Sequence, residues 1–131
     1  MNELLIEATL ENVDVVIEFI NEQLEDSSPK IQKQIEIVVD EIFSNIARYA
    51  YNPDVGNATV RIAVDGDITI EFVDSGANYD PLSKDDPDVS LPPEKRRAGG
   101  LGVFMVKNIM DSVEYRREGD KNILTVRKKG L

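Results

Sequence analysis

The sequence predicts an α+β fold, a two-layer α/β sandwich in which a mostly antiparallel mixed sheet carries its helices on one face. Three observations lead to it. The run "SSPKIQKQIEIVVDEIFSNIARYAY" keeps a helical apolar repeat over its length and opens with a Ser cap followed by Pro. Two pairs of alternating segments are joined by short Gly/Asp connections, Asp65-Gly66 and Gly119-Asp120, the usual mark of a hairpin. The whole chain then orders as strand, helix, helix, strand, strand, long loop, helix, strand, strand, and such an order packs as one sheet layer against one helix layer.

Taken in order, "LLIEATL" alternates weakly and reads as a first strand, and "ENVDVVIEFINEQLED" follows as a helix capped by Asn12 or Asp14. The long helix comes next and ends before "NPDVGN". "ATVRIAVDGDITIEFVDSG" supplies a hairpin with a two-residue turn. "ANYDPLSKDDPDVSLPPEKRRAGG" is proline-rich and acidic with few core candidates, so it reads as a loop, and a loop of that length in a small domain is commonly a functional lid or disordered. "LGVFMVKNIMDS" resumes helical spacing, and "VEYRRE" and "NILTVRK" form the second hairpin.

At 131 residues the chain fits a single domain, 1–131, with a core of ordinary size. It has no cysteine, which removes thiol chemistry and disulfides, and no histidine, so it cannot be its own phosphohistidine acceptor. A net charge of −10 opposes nucleic-acid backbones and anionic membranes, so no direct nucleic-acid or membrane contact is expected. The N-terminal segment is acidic and falls short of the roughly 18 apolar residues of a membrane span, which makes the expected location cytoplasmic.

Three polar features stand out. On the long helix, Ile31, Ile35, Val38, Ile42, Ile46 and Tyr49 form an apolar stripe, with Asn45 and Glu41 one turn apart along its edge and Asp40 turned to solvent. A carboxylate beside a carboxamide suits a hard cation or a base next to one, and equally suits a solvated rim. Asp74 closes a strand two residues before Gly76, where it serves either as an acceptor for an exocyclic amine or as an Asx turn. Gly99, Gly100 and Gly102 precede a helix, with Arg96 and Arg97 just upstream. This run is neither a Walker A loop nor a dinucleotide fingerprint, and it reads either as an anion cradle or as a tight turn.

In this order the three stretches "DEIFSN", "VDSGANYDPL" and "GGLGVFMVKNIMD" resemble the GHKL ATPase superfamily, whose nucleotide site is the Bergerat fold. The similarity covers nearly the whole chain. Within the superfamily, "YDPL" and "GGLGVFMVKNIMDSVEYRREGDKNILTVRKK" look most like the anti-sigma-factor serine/threonine kinases of bacterial partner switching.

The resemblance implies an ATP- and Mg²⁺-dependent kinase that sequesters a sigma factor and phosphorylates an anti-anti-sigma antagonist of the STAS type. A catalytically inactive nucleotide-binding module that regulates by binding alone is the alternative. By the same resemblance Glu41 is the catalytic base, Asn45 binds Mg²⁺, Asp74 accepts from the adenine amine and Gly76 lines the base pocket. Arg97, Gly99, Gly100, Leu101 and Gly102 hold the phosphates, the segment Leu82 to Ala98 closes as a lid, and a homodimer forms through the first strand and helix. The chain departs from the family at Asn78, where many members have Gly, and Thr125 is a poor counterpart of the family's late-strand threonine.

Overall fold

Ser28 starts the longest helix by accepting a hydrogen bond from the Ile31 amide at 3.2 Å, with Pro29 in the first turn where no amide is needed. The computed structural model describes residues 1–78, 80–83 and 100–129. Along them run β1 (Asn2–Glu7), α1 (Val13–Gln23), α2 (Pro29–Tyr49), β2 (Asn57–Val64), β3 (Asp67–Asp74), α3 (Gly100–Ile109), β4 (Ser112–Glu118) and β5 (Lys121–Lys129), with short 3-10 turns at Leu10–Asn12 and Pro81–Ser83. Every expected helix and strand is present in the expected order.

The five strands form one sheet in the order β1-β2-β3-β5-β4. All four pairings are antiparallel, so the mixed character expected of the sheet is absent among the described residues. The topology explains why. Two helices between β1 and β2 bring the chain back antiparallel, while the single helix between β3 and β4 would set those strands side by side in parallel had β5 not inserted between them.

The β2–β3 turn also differs from expectation. Val64 pairs with Ile68, so Asp65, Gly66 and Asp67 make a three-residue connection, with Gly66 at φ 95°. This register sets Val60 opposite Phe72 and Ile62 opposite Ile70, all four buried on the same face. A two-residue turn would have put Ile62 opposite Thr69 and set the two strands' apolar faces on opposite sides of the sheet. At the β4–β5 turn the expected two residues do suffice, with Gly119 at φ 60°.

Val16 and Ile20 of α1, Ile35, Val38, Val39, Ile42 and Phe43 of α2, and Val106 of α3 pack with Val60, Ile62, Ile68, Ile70, Phe72 and Val126 of the sheet in one core. The helices therefore lie on one face. Residues of opposite parity face away and are tied by surface ion pairs, Arg61 to Glu3 and Glu71, and Arg116 to Glu71 and Glu118. Asn12 occupies the N-cap of α1, yet its side chain donates to the Glu7 carbonyl and caps nothing. Beyond α2, Tyr51 clamps the helix end to the sheet: its hydroxyl donates to the Asn57 carbonyl at 2.6 Å and accepts from the Ser75 amide at 2.8 Å.

Candidate functional site

A cavity of about 500 Å³ opens between α2, α3 and the β3-β5-β4 end of the sheet. Its floor is apolar, built from Ile42, Phe72, Val106 and Leu124 among others, and its polar atoms come from a few residues at the edges. That composition suits a flat, partly apolar ligand fixed by a small number of directional contacts.

The α2 edge carries Glu41 and Asn45. Their one-turn spacing stacks them, and Asn45 Nδ2 donates to Glu41 Oε1 at 3.0 Å. Asn45 Oδ1 has no hydrogen-bond donor among the described residues, which leaves it as the acceptor open to a cation. No cluster of three or more acidic, His or Cys side chains exists among the described residues. A single amide oxygen, Asn45 Oδ1, fits Mg²⁺, which commonly takes its other ligands from phosphates and water, and does not fit a cation that needs an all-protein cage. Asp40 points to solvent as expected and accepts from the Ser44 hydroxyl at 3.0 Å. Tyr49, placed on the apolar stripe by its spacing, is 64% exposed at the cavity rim, because the last turn of α2 runs past the core.

Asp74 closes β3 and is only 7% exposed. Its Oδ1 accepts from the Gly76 amide at 2.9 Å and from Asn122 Nδ2 at 2.9 Å, so the Asx turn and the acceptor role share one residue. With Oδ1 occupied, Oδ2 is the atom left to receive a further donor from the cavity.

Asn122 was not among the expected site residues, yet it is the hub of this end. It faces Asp74 across the β3–β5 register, donates also to the Ala77 carbonyl at 2.9 Å, and its Oδ1 accepts from Tyr115 Oη at 2.6 Å and Arg117 Nη1 at 3.1 Å. Arg117 Nη1 donates in addition to the Gly76 carbonyl at 3.0 Å. Thr125 has the opposite parity and lies on the sheet face away from the cavity, where its Oγ1 is buried without a partner among the described residues. The late-strand polar contact is thus made by Asn122, at a position where sequence alone offers only an unremarkable Asn after a turn.

Gly76 is not in the cavity wall; Ala77 and Asn78 are. A Cβ at Gly76 would stand 2.2 Å from the Ala50 carbonyl oxygen, so glycine here allows the strand end to dock on the end of α2, a contact completed by the Ala77 amide donating to that oxygen at 3.0 Å. Gly100, Leu101 and Gly102 form the first turn of α3, and Gly102 lies against the Glu41 carboxylate. The first-turn amides of a helix have no intrahelical partners, so this end of the cavity favours anions. Arg97 and Gly99, Arg96, and all of the expected lid from Leu82 to Ala98 except Leu82 and Ser83 lie outside the described residues.

Comparison with known proteins matches the chain to the histidine kinase-like ATPase domain over residues 6–128. The serine-protein kinase RsbW of Bacillus cereus is 28% identical over 97 residues, a match that spans 70% of this chain and 61% of the relative, and RsbW of Bacillus anthracis is 27% identical over the same length. Among solved structures, the histidine kinase AdeS of Acinetobacter baumannii superposes over 98% of this chain and 68% of its own with a TM-score of 0.51 at 19% identity, a likeness of fold. No described helix is long and apolar enough to cross a membrane. With the motifs, the sheet order and the family match all in agreement, the chain belongs to the histidine kinase-like ATPase domain family of the GHKL superfamily.

Proposed function

We propose that the chain is an ATP-dependent protein serine/threonine kinase of the anti-sigma type, which holds a sigma factor and phosphorylates an anti-anti-sigma antagonist of the STAS type. The observation that carries the reading is the convergence of Glu41, Asn45 and Asp74 on one cavity, with the N-terminus of α3 beside it. The RsbW relatives support the choice of a serine hydroxyl as acceptor.

In this reading Asp74 Oδ2 accepts the exocyclic amine of adenine while the apolar floor takes the ring. The backbone amides of Gly100, Leu101 and Gly102 hold phosphate oxygens, which the helix dipole favours. Arg97 and Gly99 are assigned to the same phosphates by family resemblance. Asn45 Oδ1 holds Mg²⁺, which neutralises charge on the phosphates when bound. Glu41 accepts the proton of the attacking serine hydroxyl as its oxygen bonds to the γ-phosphorus and the bond to the ADP oxygen breaks. A homodimer through β1 and α1 is part of the proposal, as is a cytoplasmic location.

Calorimetric titration of Mg-ATP and ADP into the wild type and Asp74→Asn, followed by transfer from γ-labelled ATP to a STAS-domain antagonist, tests it. Binding that is weakened about 10- to 100-fold in the variant, together with label on a serine or threonine of the antagonist with the wild type, is the expected result. Binding without transfer would leave a module that regulates by contact alone, and no binding by the folded wild type would overturn the reading.

A further inference from the structure

The Glu41 carboxylate on α2 stands closer to the Cβ position of Gly102 on α3 than any atom stands to that of Gly56, Gly66, Gly76 or Gly119. A Cβ added at Gly102 would stand 1.8 Å from Glu41 Oε1, 2.2 Å from its Cδ and 2.8 Å from Oε2. The carboxylate occupies the very volume that a side chain at this position would need. Gly102 is helical and its φ lies outside the left-handed region, in contrast to Gly66 and Gly119, which have positive φ and nothing near them. Backbone conformation therefore does not demand glycine at Gly102, and within a helix glycine is less favourable than alanine. What demands it is space.

We infer that Gly102 is a positioning residue for Glu41: the missing side chain forms the seat in which the carboxylate rests against the first turn of α3. The seat has two sides. Asn45 Nδ2 donates to Oε1 from α2 at 3.0 Å, and the same oxygen lies in the space that a Cβ of Gly102 would take on α3. A carboxylate at a helix N-terminus is also electrostatically favoured. A carboxylate held from two helices is positioned in the way that a base acting on a defined hydroxyl requires. The obstructing atoms belong to the end of a flexible side chain, so alanine at this position displaces Glu41 and leaves the backbone where it is.

The catalytic consequence rests on the kinase reading, whereas the seat is tested without nucleotide. In ¹H–¹⁵N spectra of the ligand-free full chain, Gly102→Ala should move the Asn45 side-chain amide resonances in the direction that Glu41→Ala moves them, with the dispersion of the backbone amides retained. In a Glu41→Asp background, whose carboxylate is one methylene shorter and does not reach the seat, adding Gly102→Ala should leave those resonances in place. Unchanged Asn45 resonances in Gly102→Ala, or an equal shift in both backgrounds, would overturn the inference. For phosphoryl transfer, Gly102→Ala should lower kcat at least about tenfold with a smaller change in the KM for Mg-ATP; a raised KM with kcat unchanged would mean that Gly102 acts on the phosphates alone and would likewise overturn the inference. If the resonances behave as expected but the wild type binds no nucleotide, the seat stands and the kinase reading falls.

Discussion

Asn122 Nδ2 lies 2.9 Å from Asp74 Oδ1 across the β3–β5 pairing, and each residue is 7% exposed. The pair joins the middle of the sheet to the loop after β3, because Asn122 also holds the Ala77 carbonyl and, through Arg117, the Gly76 carbonyl. Replacing Asn122 by Ala removes a donor from the buried Asp74 carboxylate and from the Ala77 carbonyl, and an acceptor from Tyr115 and Arg117. A loss of about 1–3 kcal/mol of stability is expected, measured by urea unfolding.

Asp74→Asn keeps the shape of the side chain but not its pattern of acceptors. Two donors already converge on Oδ1, and the amide nitrogen of Asn would then face the cavity as a further donor, opposed to an exocyclic amine. Adenine nucleotide affinity should fall by about 10- to 100-fold with little change in unfolding midpoint, the range expected for one charge-assisted hydrogen bond. Titration calorimetry measures the first and denaturant unfolding the second.

Glu41→Gln retains an oxygen for the Asn45 donor and loses the proton acceptor. Phosphoryl transfer should drop by about 10²- to 10⁴-fold, the usual contribution of a general base, while the variant still binds Mg-ATP. Transfer at a wild-type rate would remove Glu41 from the chemistry.

Gly76→Ala should be worse for folding than Gly102→Ala, although both introduce one methyl into a tight space. At Gly76 the obstacle is the Ala50 backbone, at 2.2 Å from its oxygen and 2.6 Å from its carbon, and neither atom can move without shifting α2. Overpacking of that kind costs about 1–3 kcal/mol or more. Comparing the urea midpoints of the two variants checks the ranking.

Much of this was legible in the sequence, because periodicity and turn chemistry act locally. The Ser28 cap, the apolar stripe of α2 and the glycine at the β4–β5 turn announced their elements directly. Glu41 and Asn45 of α2 and Asp74 of β3 line one cavity, two segments brought together as the sequence reading expects. What stayed hidden depends on pairing. In β5 the residues Asn122, Leu124 and Val126 face the helices while Ile123 and Thr125 face away, and each set contains one polar residue, so alternation alone does not say which set is inward. The register with β3 decides, and it selects Asn122. The three-residue turn at Asp65 to Asp67 was hidden for the same reason, since the need to keep Ile62 and Ile70 on one face overrides the local preference for a two-residue connection. The resemblance assigns Gly76 to the lining of the base pocket, whereas the tight contact at Gly76 is with a helix terminus 26 residues earlier in the chain, at Ala50.

The Tyr51 clamp has a consequence for how this segment can vary. Glu41 and Asn45 sit on a helix whose far end is pinned by one phenolic hydroxyl to Asn57 of β2 and to Ser75, the residue that follows Asp74 at the end of β3. Between Glu41 and Tyr49 the helix rises about 12 Å, a span set by residue count alone. Inserting or deleting one residue there would turn Glu41 by roughly 100° relative to the pinned end and shift it along the axis by about 1.5 Å. The stretch from Glu41 to Tyr51 therefore acts as a ruler, open to exchange of individual side chains but closed to any change in length.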